Sequence, residues 1–254
     1  MTRLLRVFRG LLKAVGRRLA PASVTSAGHA RCTVRSTAAP AVARWRPALT
    51  SLAAAFAAAT FGVLGWLVGG SSLTGPDLAV STGLQSLEHA LLPAGMGLVS
   101  IFGTWPWNLL SVLAAMAAFQ AAGYPRASLF AGGAALGALG LASGLKAIWA
   151  RPRPGESLVR VVGAPVGPSF PSGHTLFYVG FFGFLFYWCS TFLRRGRTRT
   201  VLLWTFGLLL FLVGPSRVYL GHHWATDVLA GYAIGLVYLL GVIAVHRRLA
   251  VSLA

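Results

Sequence analysis

Long apolar runs broken by short polar segments dominate the chain. A membrane-spanning helix needs about 17–25 mostly apolar residues. That template predicts spans near Leu49–Val68, Trp105–Ala122, Ala127–Trp149, Ser172–Leu193, Thr200–Gly214 and Trp224–Val245, the second and fifth being the shortest. Between the first two, Pro76, Asp77, Glu88 and Pro93 punctuate apolar stretches around 79–102, which read as short helices at the membrane interface. Trp105 and Trp107 read as interfacial anchors. Gly123-Tyr124-Pro125-Arg126 is a tight turn, 150–171 a polar loop rich in Pro and Arg, and 215–223 a short polar loop. The fold class that follows is all-α, an integral-membrane bundle of six transmembrane helices with interfacial helices.

Composition agrees. Of 254 residues, 56% are hydrophobic and 10% charged, with a mean hydropathy of +0.71, values too apolar for an ordinary soluble domain. One domain, residues 47–250, is expected at this length, preceded by a basic arm over 1–46. Residues 1–20 alternate apolar positions with Arg and Lys, as in an amphipathic helix lying on anionic lipid, and the Ala/Ser/Thr/Pro/Arg stretch after them reads as a poorly ordered linker. A solvated tail is the alternative for the arm.

The formal net charge is +18, with four acids: Asp77, Glu88, Glu156 and Asp227. Position explains this charge better than nucleic-acid binding does, because the arm lacks interleaved aromatics beyond Phe8 and Trp45. Ten of the 22 Lys and Arg precede the first span. With the arm cytoplasmic, Arg126, the cluster 194–199 and Arg247-Arg248 fall on the same side, as the positive-inside rule requires. Lys146, Arg151, Arg153, Arg160 and Arg217 then lie at the extracytoplasmic face, where a local reason is needed; charges in a membrane bundle are usually site residues. Cys32 and Cys189 are far apart and show no metal spacing, so neither a disulfide framework nor a metal site is expected.

Three segments are polar where hydropathy would have them apolar: Lys146 to Arg153-Pro154, Pro171-Ser172-Gly173-His174, and Ser216-Arg217 through His223 to Asp227. Span parity opens all three on one face. Lys146, Arg153 and Arg217 supply cations for a phosphoryl group, the arginines in bidentate fashion. Ser172-Gly173-His174 opens a helix whose free N–H groups and dipole favour an anion, with Gly173 allowing close approach. Asp227, four residues after His223, is placed to fix its tautomer and leave the other ring nitrogen as nucleophile. His174 is the second imidazole, suited to protonate a departing alkoxide and later activate water.

The joint pattern K-x6-R-P, P-S-G-H and S-R-x5-H-x3-D resembles the signature of the type 2 phosphatidic acid phosphatase (PAP2) superfamily, in residue type and in every fixed spacing over Lys146–Asp227. Its spacing selects Arg153 over Arg151 and His223 over His222. The resemblance implies a six-helix membrane fold, catalysis through a phosphohistidine at His223 without metal or cofactor, and the roles above for the matched residues. Soluble vanadium haloperoxidases share the signature; the multiple spans favour the membrane lipid phosphatase branch. The expected substrate is a lipid phosphate or diphosphate of the phosphatidic acid, phosphatidylglycerol phosphate or undecaprenyl diphosphate class, at the extracytoplasmic face of a bacterial inner membrane. A lipid phosphotransferase and a non-catalytic lipid-binding protein are the alternatives.

Other polar residues carry plainer readings. His222 reads as a bystander at the interface, and Arg151 and Arg160 as solvated loop charges, with contact to a second phosphate or headgroup as the alternative. Asp77 and Glu88 read as caps of interfacial helices. The Phe-rich run Phe170–Phe186 reads as lipid-facing surface, or else as a groove for a lipid tail. Cys189 reads as a small packing residue, and His29 and His246 carry no assignment. Neither physiological substrate nor oligomeric state is set by the sequence.

Overall fold

The computed structural model describes residues 40–70, 74–87 and 89–251, and every regular element among them is helical. The expected amphipathic helix over 1–20 and the linker as far as residue 39 lie outside these residues, as do His29, Cys32 and Glu88. The order is α1 (Pro40–Gly69), α2 (Thr74–Gln85), α3 (Leu92–Ser100), a 3-10 turn (Ile101–Gly103), α4 (Trp107–Ala121), α5 (Pro125–Trp149), α6 (Gly173–Phe192), α7 (Arg197–Tyr219) and α8 (Ala225–Val251). Residues 40–46, expected in the linker, are already helical. Their helix opens on Pro40, a residue tolerated in the first turn because its missing N–H has no helical partner there.

Among the described residues, five helices are long and apolar enough to cross a membrane: Ala48–Gly69 of α1, then α5, α6, α7 and α8. The expected second span is different. Helix α4 has only 15 residues, about 22 Å of rise against a hydrocarbon core of about 30 Å. It joins α3 and the 3-10 turn across a 62° bend, so a sixth span exists only if this broken pair is counted as one. Helices α2 and α3 occupy the region expected to hold interfacial helices.

Helix α6 is the centre of the bundle. In its most apolar stretch 78% of residues are buried, against 17% in α1, and it packs on α5, α7 and α8. The Phe-rich run is therefore neither lipid-facing surface nor a groove: Phe170, Phe177, Phe181 and Phe184 are fully buried, and only Phe186 reaches the surface. Lipid is as apolar as these rings, so what holds them inside is close packing rather than escape from water. Cys189 is a buried free thiol in the same core. Small residues make the approach possible. Ala127, Ala131, Ala134, Ala138 and Ala142 form the buried stripe of α5, and a Cβ at Gly180 would stand 2.9 Å from that of Ala138. Outward faces carry Phe56, Trp66, Leu136, Trp204 and Phe211, all exposed, as a lipid-facing surface requires.

Helix α7 runs five residues beyond the expected end of its span, through Pro215. A proline inside a helix clashes with the carbonyl four residues back and opens the turn. Here the Tyr232 hydroxyl of α8 enters that turn. It accepts from the Gly214 N–H at 3.1 Å, donates to the Leu210 carbonyl at 2.6 Å, and lies 3.4 Å from the Phe211 carbonyl that Pro215 leaves without its usual donor. The room comes from Gly214, where a Cβ would lie 2.7 Å from the Tyr232 ring. Ser216 and Arg217, expected in a loop, consequently occupy the last turns of α7.

Chain direction puts the three polar segments at one end of the bundle, where α5 and α7 finish and α6 and α8 begin. Arg126, residues 194–199 and Arg247-Arg248 stand at the helix ends away from it.

Candidate active site

Helix α5 ends when Ala150 takes the left-handed conformation, φ 45°, and its N–H closes on the Lys146 carbonyl. Arg151-Pro152 follows and cannot continue the helix. At the other end of the loop, Ser172 caps α6: its Oγ accepts from the Thr175 hydroxyl at 3.0 Å, and its own N–H donates to the Asp227 carbonyl at 2.9 Å. Ser172 is fully buried and does not line the cleft, whereas Gly173 and His174 do. The first two residues of α6 thus border the site, at the positive end of the helix dipole.

His223 lies in the turn before α8, not on the helix, and Asp227 occupies the third helical position. Asp227 reaches back to the Trp224 N–H with Oδ2 at 2.9 Å, the return arm of a capping box. This carries the same oxygen to 3.5 Å from His223 Nδ1. On the opposite side of the ring, His223 Nε2 is 3.3 Å from Arg153 Nη1. His223 is 1% exposed. Burial first, then Arg217, Arg153, Lys146 and His222, hold its imidazole well below the usual 6.5. It is neutral near pH 7, with a lone pair to use.

The cations converge on the same cleft, whose volume is about 470 Å³ and whose lining includes Lys146, Arg153, Gly173, His174, Arg217 and His223. Arg153 is pinned by carbonyls, Nε to Gly167 at 2.8 Å and Nη2 to Val166 at 3.1 Å, and also donates to His222. Lys146 donates to the Pro168 carbonyl. Arg217 is buried and donates to the Ser100 hydroxyl of α3. No carboxylate lines this cleft among the described residues, so three cations meet in a partly dry space with backbone and hydroxyl oxygens for company. An anion is the complement of that arrangement. No group of three or more His, Cys, Asp and Glu is placed to hold a metal ion, among the described residues.

His174 packs against the backbone of Gly103: a Cβ there would lie 2.3 Å from His174 Cδ2. Its Nε2 is buried with no protein partner.

Several residues act differently from their sequence reading. Arg151 is not a solvated charge. It is 10% exposed and lies between two buried carboxylates, 2.7 Å from Asp77 and 2.6 Å from Asp227. Asp77 lies in the first turn of α2, where its charge suits the helix dipole, and it has a second duty. It accepts from the Thr226 N–H at 2.9 Å and so caps α8 from α2. The only sequence signal was rarity, since a buried acid in a membrane protein needs a partner. Ser100 and Gly103 had no signal at all. Arg160 bonds Gln85 and covers the Tyr219 ring at 5.5 Å. His222, read as a bystander, also lines the cleft: its Nε2 bonds the Val162 carbonyl, and burial followed by Arg217 pulls its ring down to about 4.

A stretch of 71 residues, 27% of the chain, is 38% identical to phosphatidylglycerophosphatase B of Bacillus subtilis (strain 168), and spans 34% of that protein's length. The fold is similar to the crystal structure of the transmembrane PAP2 type phosphatidylglycerolphosphate phosphatase from Bacillus subtilis, with a TM-score of 0.63 and 24% identity over 77% of this chain and 96% of that one. It is also similar to Aquifex aeolicus LpxE, with a TM-score of 0.53 and 22% identity over 66% of this chain and 94% of that one. Residues 127–250, which hold every cation and imidazole of the cleft, match the PAP2 superfamily.

Proposed function

We propose that the chain is a lipid phosphate phosphatase working through a phosphohistidine at His223. One observation carries this reading: a buried, neutral imidazole with a carboxylate on its Nδ1 side and a cation-lined cleft on its Nε2 side. In the first step His223 Nε2 forms a bond to phosphorus as the bond to the lipid oxygen breaks, and His174 gives the departing oxygen its proton. In the second step His174 takes a proton from water, the oxygen bonds to phosphorus, and the N–P bond breaks to release phosphate. Lys146, Arg153, Arg217 and the N–H groups at Gly173 and His174 offset charge on the equatorial oxygens. Ser172 serves this anion site as the cap that holds the helix end in place, and Asp227 keeps His223 in the reactive tautomer.

The substrate class is a lipid phosphate monoester or diphosphate, such as phosphatidic acid, phosphatidylglycerol phosphate or undecaprenyl diphosphate. The mouth of the site opens at the end of a membrane bundle, and the relative named above is a phosphatidylglycerophosphatase. The basic ends of the helices lie away from the site, so the positive-inside rule supports an extracytoplasmic active site with cytoplasmic termini in a bacterial inner membrane.

Protein purified in detergent is expected to release phosphate from these lipids in EDTA and to be inhibited by vanadate. His223→Ala is expected to lose turnover while keeping its melting temperature. Strict dependence on Mg²⁺, or full activity of His223→Ala, would sink the mechanism, and a product that appears only with an added lipid acceptor would mark a transferase.

A further inference from the structure

We propose that Arg151 is a positioning residue for the nucleophile, acting through Asp227, and that Asp77 sets the charge of the unit they form. The inference rests on the phosphatase reading above and extends it to residues outside the cleft.

The geometry is a closed chain of charge-assisted bonds. Arg151 Nη1 donates to Asp227 Oδ1 at 2.6 Å and to the Thr226 hydroxyl at 2.7 Å, and Nη2 donates to Asp77 Oδ2 at 2.7 Å. The Thr226 hydroxyl donates onward to Asp77 Oδ2 at 2.6 Å, and the Thr226 N–H donates to Asp77 Oδ1 at 2.9 Å. The arginine is held from its own backbone as well: the Ser169 N–H donates to its carbonyl at 2.8 Å, and its guanidinium lies 5.7 Å from the centre of the Trp224 ring. Asp77 and Asp227 are both fully buried. Each Asp227 oxygen therefore has a separate duty. Oδ1 belongs to Arg151, and Oδ2 belongs to the Trp224 N–H and faces His223 Nδ1.

Two consequences follow. With Oδ1 held by Arg151, the carboxylate resists rotation and keeps Oδ2 3.5 Å from His223 Nδ1, which has no other partner among the described residues. The formal charge of Arg151, Asp77 and Asp227 together is −1, which matches the positive charge His223 acquires when it bonds to phosphorus. Without Asp77 the arginine would cancel Asp227 outright. Without Arg151 two carboxylates would share a buried site with no cation between them, a costly arrangement. Lysine is a poor replacement, since one ammonium does not reproduce a fork that bonds two carboxylates in fixed directions.

The test is steady-state hydrolysis of a lipid phosphate in detergent by four proteins: wild type, Arg151→Gln, Asp77→Asn with Arg151→Gln, and Arg151→Lys. Arg151→Gln is expected to lower kcat by about 10²-fold, the scale of a roughly 1 Å misplacement, with KM within about threefold of wild type because no cleft contact is lost. The double variant restores the net charge of −1 and is expected to recover at least about tenfold of that loss. A merely structural role would not produce this recovery. The inference is overturned if Arg151→Gln keeps wild-type kcat, if its loss falls on KM, or if the double variant is no better than the single. Should Arg151→Gln not fold, Arg151→Lys decides: reduced kcat at unchanged KM supports the proposal, and wild-type kcat overturns it. A wild type that releases phosphate from no lipid phosphate defeats the phosphatase reading itself, a separate outcome.

Discussion

A single methyl group at Gly103 should disable His174, the proposed acid, without unfolding the protein. An alanine Cβ there would stand 2.3 Å from His174 Cδ2 and 2.9 Å from both Cγ and Nε2. Carbon atoms rest at about 3.5–4 Å, so the ring must withdraw by roughly 1 Å. It has somewhere to go, because it borders a cleft of about 470 Å³. The clash is thus relieved by moving the imidazole, not the helices, and the melting temperature should hardly change. A displacement of about 1 Å typically costs about 10²-fold in rate, or about 2.7 kcal/mol of barrier. The assay compares kcat for phosphate release from a lipid phosphate with that from an aryl phosphate. The aryl leaving group needs little help from an acid, so its deficit should be several-fold smaller. Gly97→Ala is the control: it lies on α3, and its Cβ meets nothing within 4 Å. If Gly103→Ala stays within about threefold of wild type, or loses equally on both substrates, the placement of His174 as the acid is wrong.

Tyr232→Phe removes the hydroxyl that bonds Gly214 N–H and Leu210 C=O beside Pro215. A loss of about 1–3 kcal/mol is expected, seen as a lower melting temperature in detergent; an unchanged midpoint would show that the turn closes without it. His222 provides a test in pH. Its folded pKa of about 4 lies below the usual 6.5, so between these values the unfolded chain binds the extra proton. The stability that His222 contributes is complete above about pH 6.5 and is lost as pH falls towards 4. His222→Gln should flatten the pH dependence of the melting temperature in that window, and parallel curves for the two proteins would refute the assignment.

Much of the molecule is legible in its residues, for physical reasons that can be named. A bilayer leaves helices as the only choice for long apolar runs, so α1, α5, α6 and α8 follow from hydropathy to within a few residues, once the early start of α1 and the six further residues at the end of α8 are allowed for. The exceptions arise where partners from elsewhere decide. Helix α7 crosses Pro215 because Tyr232, 17 positions later, repairs the turn. Helix α4 falls short of a span because its approach is bent by 62° at the 3-10 turn. The phenylalanines of α6 looked like lipid-facing surface because hydropathy does not distinguish lipid from a neighbouring helix.

The site divides in the same way. Spacing and span parity alone determined that Lys146, Arg153, His174, Arg217, His223 and Asp227 share one end of the bundle, since helix direction alternates with each crossing. What holds them in working order was decided only by the tertiary structure. Gly103 presses on His174, Ser100 takes Arg217, and Asp77 and Arg151 flank Asp227 from a helix and a loop far away in sequence. Such supports leave no local trace, because a side chain's partner is fixed by where the backbone returns, and neither hydropathy nor a spacing rule records that distance.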